Sequence, residues 1–298
     1  MAQTTVGIVG TGRMGTAIGK RLMESGHAVV AWNRTAERTG DLAAAGATIA
    51  ANPAALRDRA DVVITSLTDQ AALAAVFGGD SGLLADGAEG TLFIEMSTLL
   101  PDEQQALAAD AHGAGAGYVE CPVGGTVGPA LKGQLLGMAG GSTAEFERAR
   151  PILETLCKRV DHLGEVGAGA KMKLAVNLPL ALYWATLGEA IALLPEGSGL
   201  DGHKIADILA ASSGGPNVLK NRMEVVAKTI DGTDQPGTFD INGLAKDLRL
   251  ALLWARRSGK AMPLTQAAEA VYAEAIAAGL GGFDGATIAR RVRAGGAA

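Results

Sequence analysis

The sequence predicts an α/β fold: a doubly wound parallel sheet over residues 1–164, then a long apolar helix at about 168–194 that opens an all-helical region to residue 298. Three observations predict it. Short β-rich runs alternate with Ala-rich helical stretches up to about Gly164, the order that βαβ units and a parallel sheet produce. Past Gly167-Ala-Gly169 the alternation stops, and helical segments follow one another with no convincing strand between them. At 298 residues the chain also suits two ordinary domains, each with its own core.

Taken in order, the strands are Thr5–Val9, Ala28–Trp32, Asp61–Ser66, Thr91–Glu95 and Gly117–Glu120, all rich in β-branched or aromatic residues. The long helix carries no charge from Leu174 to Gly188, but Lys173 and Glu189 bracket that stretch and Asn177 and Pro179 interrupt it. A bilayer span needs about 20 apolar residues, so the helix is expected inside protein and no membrane partner is expected. Pro179 has no N–H to offer the carbonyl of Ala175, which predicts a local kink. Trp184 and Tyr183 in this helix read as core, and His27, just before the second strand, reads as structural. Ser212–Asn217 and Asp231–Gly237 read as turns, the former with a pocket wall as its second reading, and Arg293–Ala298 as a frayed end.

Composition removes several classes of function. Lys and Arg number 26 against 31 Asp and Glu, a net charge of −5, and aromatics are only 4%. Nucleic acid is therefore not an expected partner, because phosphate binding needs a basic surface and base stacking needs rings. Cys121 and Cys157 form no CxxC pair, and His27, His112, His162 and His203 lack ligand spacing, so no metal site is expected. Met1 to Thr5 run into an apolar strand without a basic segment or cleavage site, which makes a reducing cytoplasm the expected location.

The first chemical motif is Gly10-Thr-Gly12-Arg13-Met14-Gly15, directly after a strand and opening a helix. In this setting the first glycine allows a tight turn, the second admits a pyrophosphate close to backbone, and the third lets helix pack on strand. A dinucleotide is the expected cofactor. The second strand ends in Trp32-Asn33-Arg34-Thr35, where an Asp or Glu would ordinarily take the adenosine ribose of NAD. Arg34 instead offers a planar fork suited to a 2′-phosphate, with Asn33 and Thr35 as uncharged neighbours. NADP is thus expected ahead of NAD. Thr35 as a helix N-cap beside a surface Arg34 is the plainer reading, and the two are compatible.

The second motif is Lys171-Met-Lys173-Leu-Ala-Val-Asn177, where Lys173 and Asn177 share one helical face in an apolar stretch. A lysine there either snorkels to the surface as a solubilising group or faces a polar cleft. Lys171 lies on another face and is given no chemical role.

Together with GIVGTGRMG, the segments EMST at Glu95–Thr98, ECPVGGTVGPALKG at Glu120–Gly133, GAGAKMKLAVN at Gly167–Asn177 and LAKDL at Leu244–Leu248 resemble the β-hydroxyacid dehydrogenases, in order and over nearly the whole chain. That family includes 3-hydroxyisobutyrate dehydrogenases and glyoxylate/succinic semialdehyde reductases. The resemblance implies an N-terminal Rossmann domain, a long interdomain helix and a helical C-terminal domain, with the site in the cleft between them. It implies an NAD(P)-dependent enzyme acting on a small carbonyl or hydroxy acid, assembled as a dimer or tetramer.

Position by position, the resemblance makes Lys173 the catalytic lysine and Asn177 the second asparagine of the KxxNN pattern. Thr98 matches a residue lining the nicotinamide, and Lys246 a lysine near the cofactor. Leu67 completes the expected cofactor-binding set, and Ser97 with Gly124, Gly125 and Thr126 the substrate-binding set, the last three through a backbone anion nest. There are two departures. The family's D-x-P-V-S-G-G loop here reads Glu120-Cys-Pro-Val-Gly124-Gly125-Thr126, without the serine, and Val176 replaces the first asparagine. Two other readings stay open. Imine reductases of related architecture share the Asn33-Arg34-Thr35 stretch but place Asp or Tyr where Lys173 stands, and a non-catalytic cofactor-binding module would ordinarily have lost the lysine.

Overall fold

The computed structural model describes residues 4–194 and 200–293, so the tail read as frayed lies, after Arg293, outside the described residues. The chain divides into two compact units, the first ending at Lys173 and the second beginning at Leu174.

In the first unit the elements run β1 (Thr5–Val9), α1 (Arg13–Glu24), β2 (Ala28–Trp32), a 3-10 turn (Ala36–Thr39), α2 (Gly40–Ala44), β3 (Thr48–Ile49), α3 (Pro53–Arg57), β4 (Val62–Thr65), α4 (Gln70–Phe77), β5 (Leu92–Glu95), α5 (Pro101–Gly113) and β6 (Gly117–Glu120). The six strands form one sheet in the order β3-β2-β1-β4-β5-β6, every pair parallel. Strands β1 and β4 are neighbours although β2 and β3 lie between them in sequence. The winding therefore reverses there, and such a reversal opens a crevice at the carboxyl ends of the strands.

Both faces of the sheet are apolar. Val6, Ile8, Val62, Ile64, Leu92 and Ile94 pack into one core with Ile18, Leu22, Phe146 and Ile152. Val9, Val63 and Phe93, at the intervening positions, pack into the other with Leu56, Leu73, Leu107 and Tyr118. This two-residue alternation with no polar face is what a sheet covered by helices on both sides requires. Each such side chain contributes about 1.5–3 kcal/mol on burial.

Five of the six strands stand where the sequence puts them, with the third and fourth expected runs trimmed at their ends to Val62–Thr65 and Leu92–Glu95. The sixth, β3, is two exposed residues at the edge, too short for a periodic signal. A second sheet was not expected: β7 (Val123–Gly124), β8 (Leu135–Ala139) and β9 (Cys157–His162), with α6 (Val127–Leu131) and α7 (Thr143–Leu156) between them. It pairs β7 antiparallel and β9 parallel to β8. Strand β9 reads Cys-Lys-Arg-Val-Asp-His, with little apolar content to mark it. Reciprocal backbone bonds between Glu120 and Gly140 tie the two sheets together.

Helix α8 (Ala168–Ala192) begins in the first unit and continues into the second. It stays helical through Pro179; Ala175 and Pro179 are both exposed, so water can satisfy the carbonyl that the proline leaves free. By length and composition it could cross a membrane, but Ala181, Trp184, Leu187 and Ile191 pack into the second core. That core is completed by α9 (Gly202–Ala211), α10 (Asn217–Asn221), α11 (Met223–Ile230), α12 (Ile241–Arg257), α13 (Pro263–Ala277) and α14 (Ala286–Arg293). Trp184 and half-buried Tyr183 belong to this core, and Ser212–Asn217 is a turn in which the Ser212 hydroxyl donates to the carbonyl of Leu209.

Candidate active site

The expected cofactor residues of the first unit all follow carboxyl ends of parallel strands, and the sheet order brings them together. Gly10 follows β1 with φ +92, and a Cβ there would lie 2.4 Å from the carbonyl oxygen of Ser66 and 2.7 Å from Leu67 Cδ2. Gly15 is equally constrained, since its Cβ would stand 1.9 Å from the Gly10 carbonyl oxygen. Around Gly12, at the N-cap of α1, nothing lies within 4 Å of that position, and no side chain caps the helix. The protein's own packing thus requires two of the glycines, and the third keeps a cradle open where a pyrophosphate can meet first-turn N–H groups. Arg13 is exposed at the start of α1, and Met14 packs on the core.

Neighbouring loops are locked to this turn. The backbone N–H of Leu67 donates to the Ser97 hydroxyl at 2.8 Å, and Ser97 is only 4% exposed. Ser97 in turn donates its backbone N–H to the Glu95 carboxylate, which also accepts from the Thr65 hydroxyl. Ser97 therefore ties the β4 and β5 loops together, with Thr98 half-buried beside it. Asn33, after β2, accepts from the Thr11 N–H at 3.2 Å and donates to the Thr35 carbonyl at 2.9 Å. Thr35 stands at the N-cap of the 3-10 turn, but its side chain makes no capping bond. Asn33 thus shapes this end of the site, and Arg34 is exposed, its guanidinium held by no hydrogen bond or ion pair among the described residues.

Lys173 is 8% exposed, and its ammonium donates to the carbonyl of Val123 at 2.8 Å. The lysine accordingly meets β7, at the head of the loop Gly124-Gly125-Thr126. Gly125 has φ +119 and would drive a Cβ to 2.9 Å from Leu135. Gly124 pairs with Leu136, and its Cβ would meet nothing nearer than 3.5 Å, so a serine there would fit; neither packing nor backbone demands the glycine. Thr126 stands at the N-cap of α6 without a side-chain capping bond.

Two candidate residues, one in each unit, were missed in sequence. Glu120 is completely buried at the end of β6, and its carboxylate accepts from the N–H groups of Gly167 at 2.6 Å, Gly169 at 2.8 Å and Ala170 at 3.3 Å. Burial raises its pKa from 4.5 to about 7, against the opposing pull of those three donors and of Lys171. In the second unit Asp247, 5% exposed, accepts from the Asn177 amide at 2.5 Å and stands 3.8 Å from the Lys246 ammonium. A charge closing the apolar strand Gly-Tyr-Val-Glu was the available signal for Glu120. Asp247 had none beyond its place beside Lys246.

Residues 5–164 match the family model described as the NAD binding domain of 6-phosphogluconate dehydrogenase. Residues 167–292 match the one described as NAD-binding of NADP-dependent 3-hydroxyisobutyrate dehydrogenase. The chain is 32% identical over 288 residues to glyoxylate/succinic semialdehyde reductase 1 of Arabidopsis thaliana, covering 97% of this chain and 98% of the relative. Among solved structures, Mycobacterium tuberculosis 3-hydroxyisobutyrate dehydrogenase with L-serine superposes with a TM-score of 0.84 at 27% identity, covering 98% of this chain and 99% of that one. Psf3 in complex with NADP+ and 2-OPP gives 0.84 at 28%, covering 96% and 99%. With a nucleotide cradle at the β1–β4 reversal and this likeness along both units, the chain belongs to the β-hydroxyacid dehydrogenase family, NAD(P)-dependent oxidoreductases that act on CH–OH groups.

Proposed function

We propose that the chain is an NADP-dependent oxidoreductase interconverting a small aldehyde or keto acid and its hydroxy acid, with Lys173 as general acid and base. The observation that carries the proposal is the buried ammonium of Lys173, on an otherwise apolar stretch of α8, directed at the backbone that leads into Gly124-Gly125-Thr126. An ammonium is costly to bury unless it has work or partners there. The cofactor supplies the hydride when bound. The chain's part is to deliver a proton to the carbonyl oxygen in reduction and to remove it in oxidation, work worth about 10²–10⁴-fold in rate.

Asn177, one helical turn beyond Lys173, has its amide orientation set by Asp247, which suits it to hold a substrate oxygen. Lys246 is assigned to the cofactor on family likeness. Arg34, exposed and unengaged where an acidic residue would exclude a 2′-phosphate, favours NADP over NAD. The same reading makes the enzyme a cytoplasmic homo-oligomer, a dimer or a tetramer, with Cys121 and Cys157 as free, buried thiols.

The test is NADPH consumption against short aldehydes and keto acids, with cyclic imines in parallel. Carbonyl turnover that drops at least about 100-fold in Lys173→Met, with NADPH affinity kept within about twofold, is the expected result. Retained carbonyl turnover in that variant, or turnover of imines alone, overturns the assignment.

A further inference from the structure

The strand end Glu120–Val123 grips α8 at two points. Its first residue engages three backbone N–H groups at the start of the helix through a fully buried carboxylate. Its last residue accepts from the Lys173 ammonium, one turn further along. The grip is rigid on the sheet side: Glu120 exchanges two backbone bonds with Gly140, Cys121 donates to the Glu95 carbonyl at 2.7 Å, and the Pro122 carbonyl accepts from Met138 at 3.1 Å. The space is shaped around the carboxylate, since a Cβ at Gly140 would stand 2.3 Å from Glu120 Oε1 and one at Gly169 3.3 Å from it.

We propose that Glu120 is the positioning residue of Lys173: its ionised carboxylate seats the first turn of α8 on the sheet, and so fixes where the catalytic ammonium stands. The proposal rests on the reading of Lys173 as the proton-transfer group, and it adds a residue that touches neither substrate nor cofactor. The carboxylate makes all three N–H bonds charge-assisted, and protonation removes that assistance. Protonation turns one oxygen into an O–H donor, which must find an acceptor where the helix offers only N–H groups. The seat therefore loosens on protonation, and the Glu120 pKa of about 7 puts that event in the working range.

Other charged and titratable groups face the carboxylate or its neighbours. The charge of Lys171 on α8 favours the carboxylate. Tyr118 on β6 and Cys121 beside Glu120 are pushed by burial well above their usual values and remain protonated, and Cys157 on β9, which acts on Cys121, is pushed up to about 12. Glu95, the register partner of Glu120 on β5, has its carboxylate engaged by Thr65 and Ser97.

The experiment is the pH profile of kcat for the wild type and Glu120→Gln, each with the full chain and saturating NADPH, alongside Lys173→Met. In the wild type kcat falls roughly tenfold from pH 8 to pH 6 with an inflection near 7. In Glu120→Gln it is at least about tenfold lower at pH 8 and flat between pH 6 and 8, while KM for NADPH changes less than about twofold. A glutamine variant that keeps the inflection, or keeps kcat within about twofold at pH 8, overturns the proposal even if Lys173→Met is inactive. An active Lys173→Met removes instead the reading on which it rests. Should the glutamine variant not fold, Glu120→Asp decides, because a carboxylate at that place must preserve an inflection between pH 5 and 8, and a folded aspartate variant with a flat profile overturns the proposal.

Discussion

Helices α1 and α8 both begin at the carboxyl edge of a strand, and each presents N–H groups and the positive end of a helix dipole there. They use that end in opposite ways. At α1 the N-cap is Gly12, no side chain reaches back to cap it, and the space beyond is open. At α8 the protein fills the place itself, with the buried carboxylate of Glu120 on the N–H groups of Gly167, Gly169 and Ala170. The same backbone physics leaves the helix start open in one case and filled by a carboxylate in the other, and the choice depends on whether the strand end facing it delivers a glycine or a glutamate.

Titrating the seat has the largest expected effect, because protonation relieves the cost of burying the charge even as it weakens the three N–H bonds. A carboxyl whose pKa is raised in the folded state binds its proton more tightly there than in the unfolded chain, so its stabilising contribution is full below about 4.5 and is lost as pH rises through about 7. Relative to Glu120→Gln, which does not titrate, the wild type should lose about 3 kcal/mol of unfolding free energy between pH 4 and pH 8. Urea unfolding of the two proteins across that range measures it, and parallel curves would show that Glu120 does not titrate in its seat.

Converting one end into the other comes next. Gly12→Asp gives α1 an internal carboxylate of the kind α8 has, at a position whose extended backbone suits an N-cap and whose surroundings have room. Capping should add about 1 kcal/mol of stability, while the new charge repels the pyrophosphate and weakens NADPH binding about 100-fold. Calorimetric titration and a melting curve read both effects. Unchanged binding would mean that the open end is not the phosphate cradle.

The smallest effect sharpens the open end at its far side. Arg34→Ala should lower kcat/KM for NADPH about tenfold and leave NADH use within about twofold, since a single exposed guanidinium fork is lost. Better use of NADH than NADPH by the wild type would refute the cofactor preference.

Much of this was legible in the chain because it is local. The glycine turn, the second strand with its Arg34, and a lysine in an otherwise apolar helix all lie within a few residues of the features that give them meaning. What escaped reading depends on partners far apart in sequence. Glu120 finds its donors 47 to 50 residues later, and Asn177 finds Asp247 70 residues later, with no periodicity linking either pair. Strand β9 was missed for the complementary reason: Lys158, Arg159 and Asp161 make it look like surface, and only pairing with β8 makes it a strand. Ser97 was expected as a site residue from the sequence, but its hydrogen bond to Leu67, which links two loops, emerges only once β4 and β5 lie side by side.

The uncapped start of α1 reaches beyond the active site. Any nucleotide that docks there binds the folded chain and not the unfolded one, so mass action adds about 2.7 kcal/mol to stability at a hundredfold excess over its dissociation constant. The heat tolerance of this protein is therefore set partly by the solution around it, and a cell whose nicotinamide pool runs low also loses some of the margin that keeps the enzyme intact.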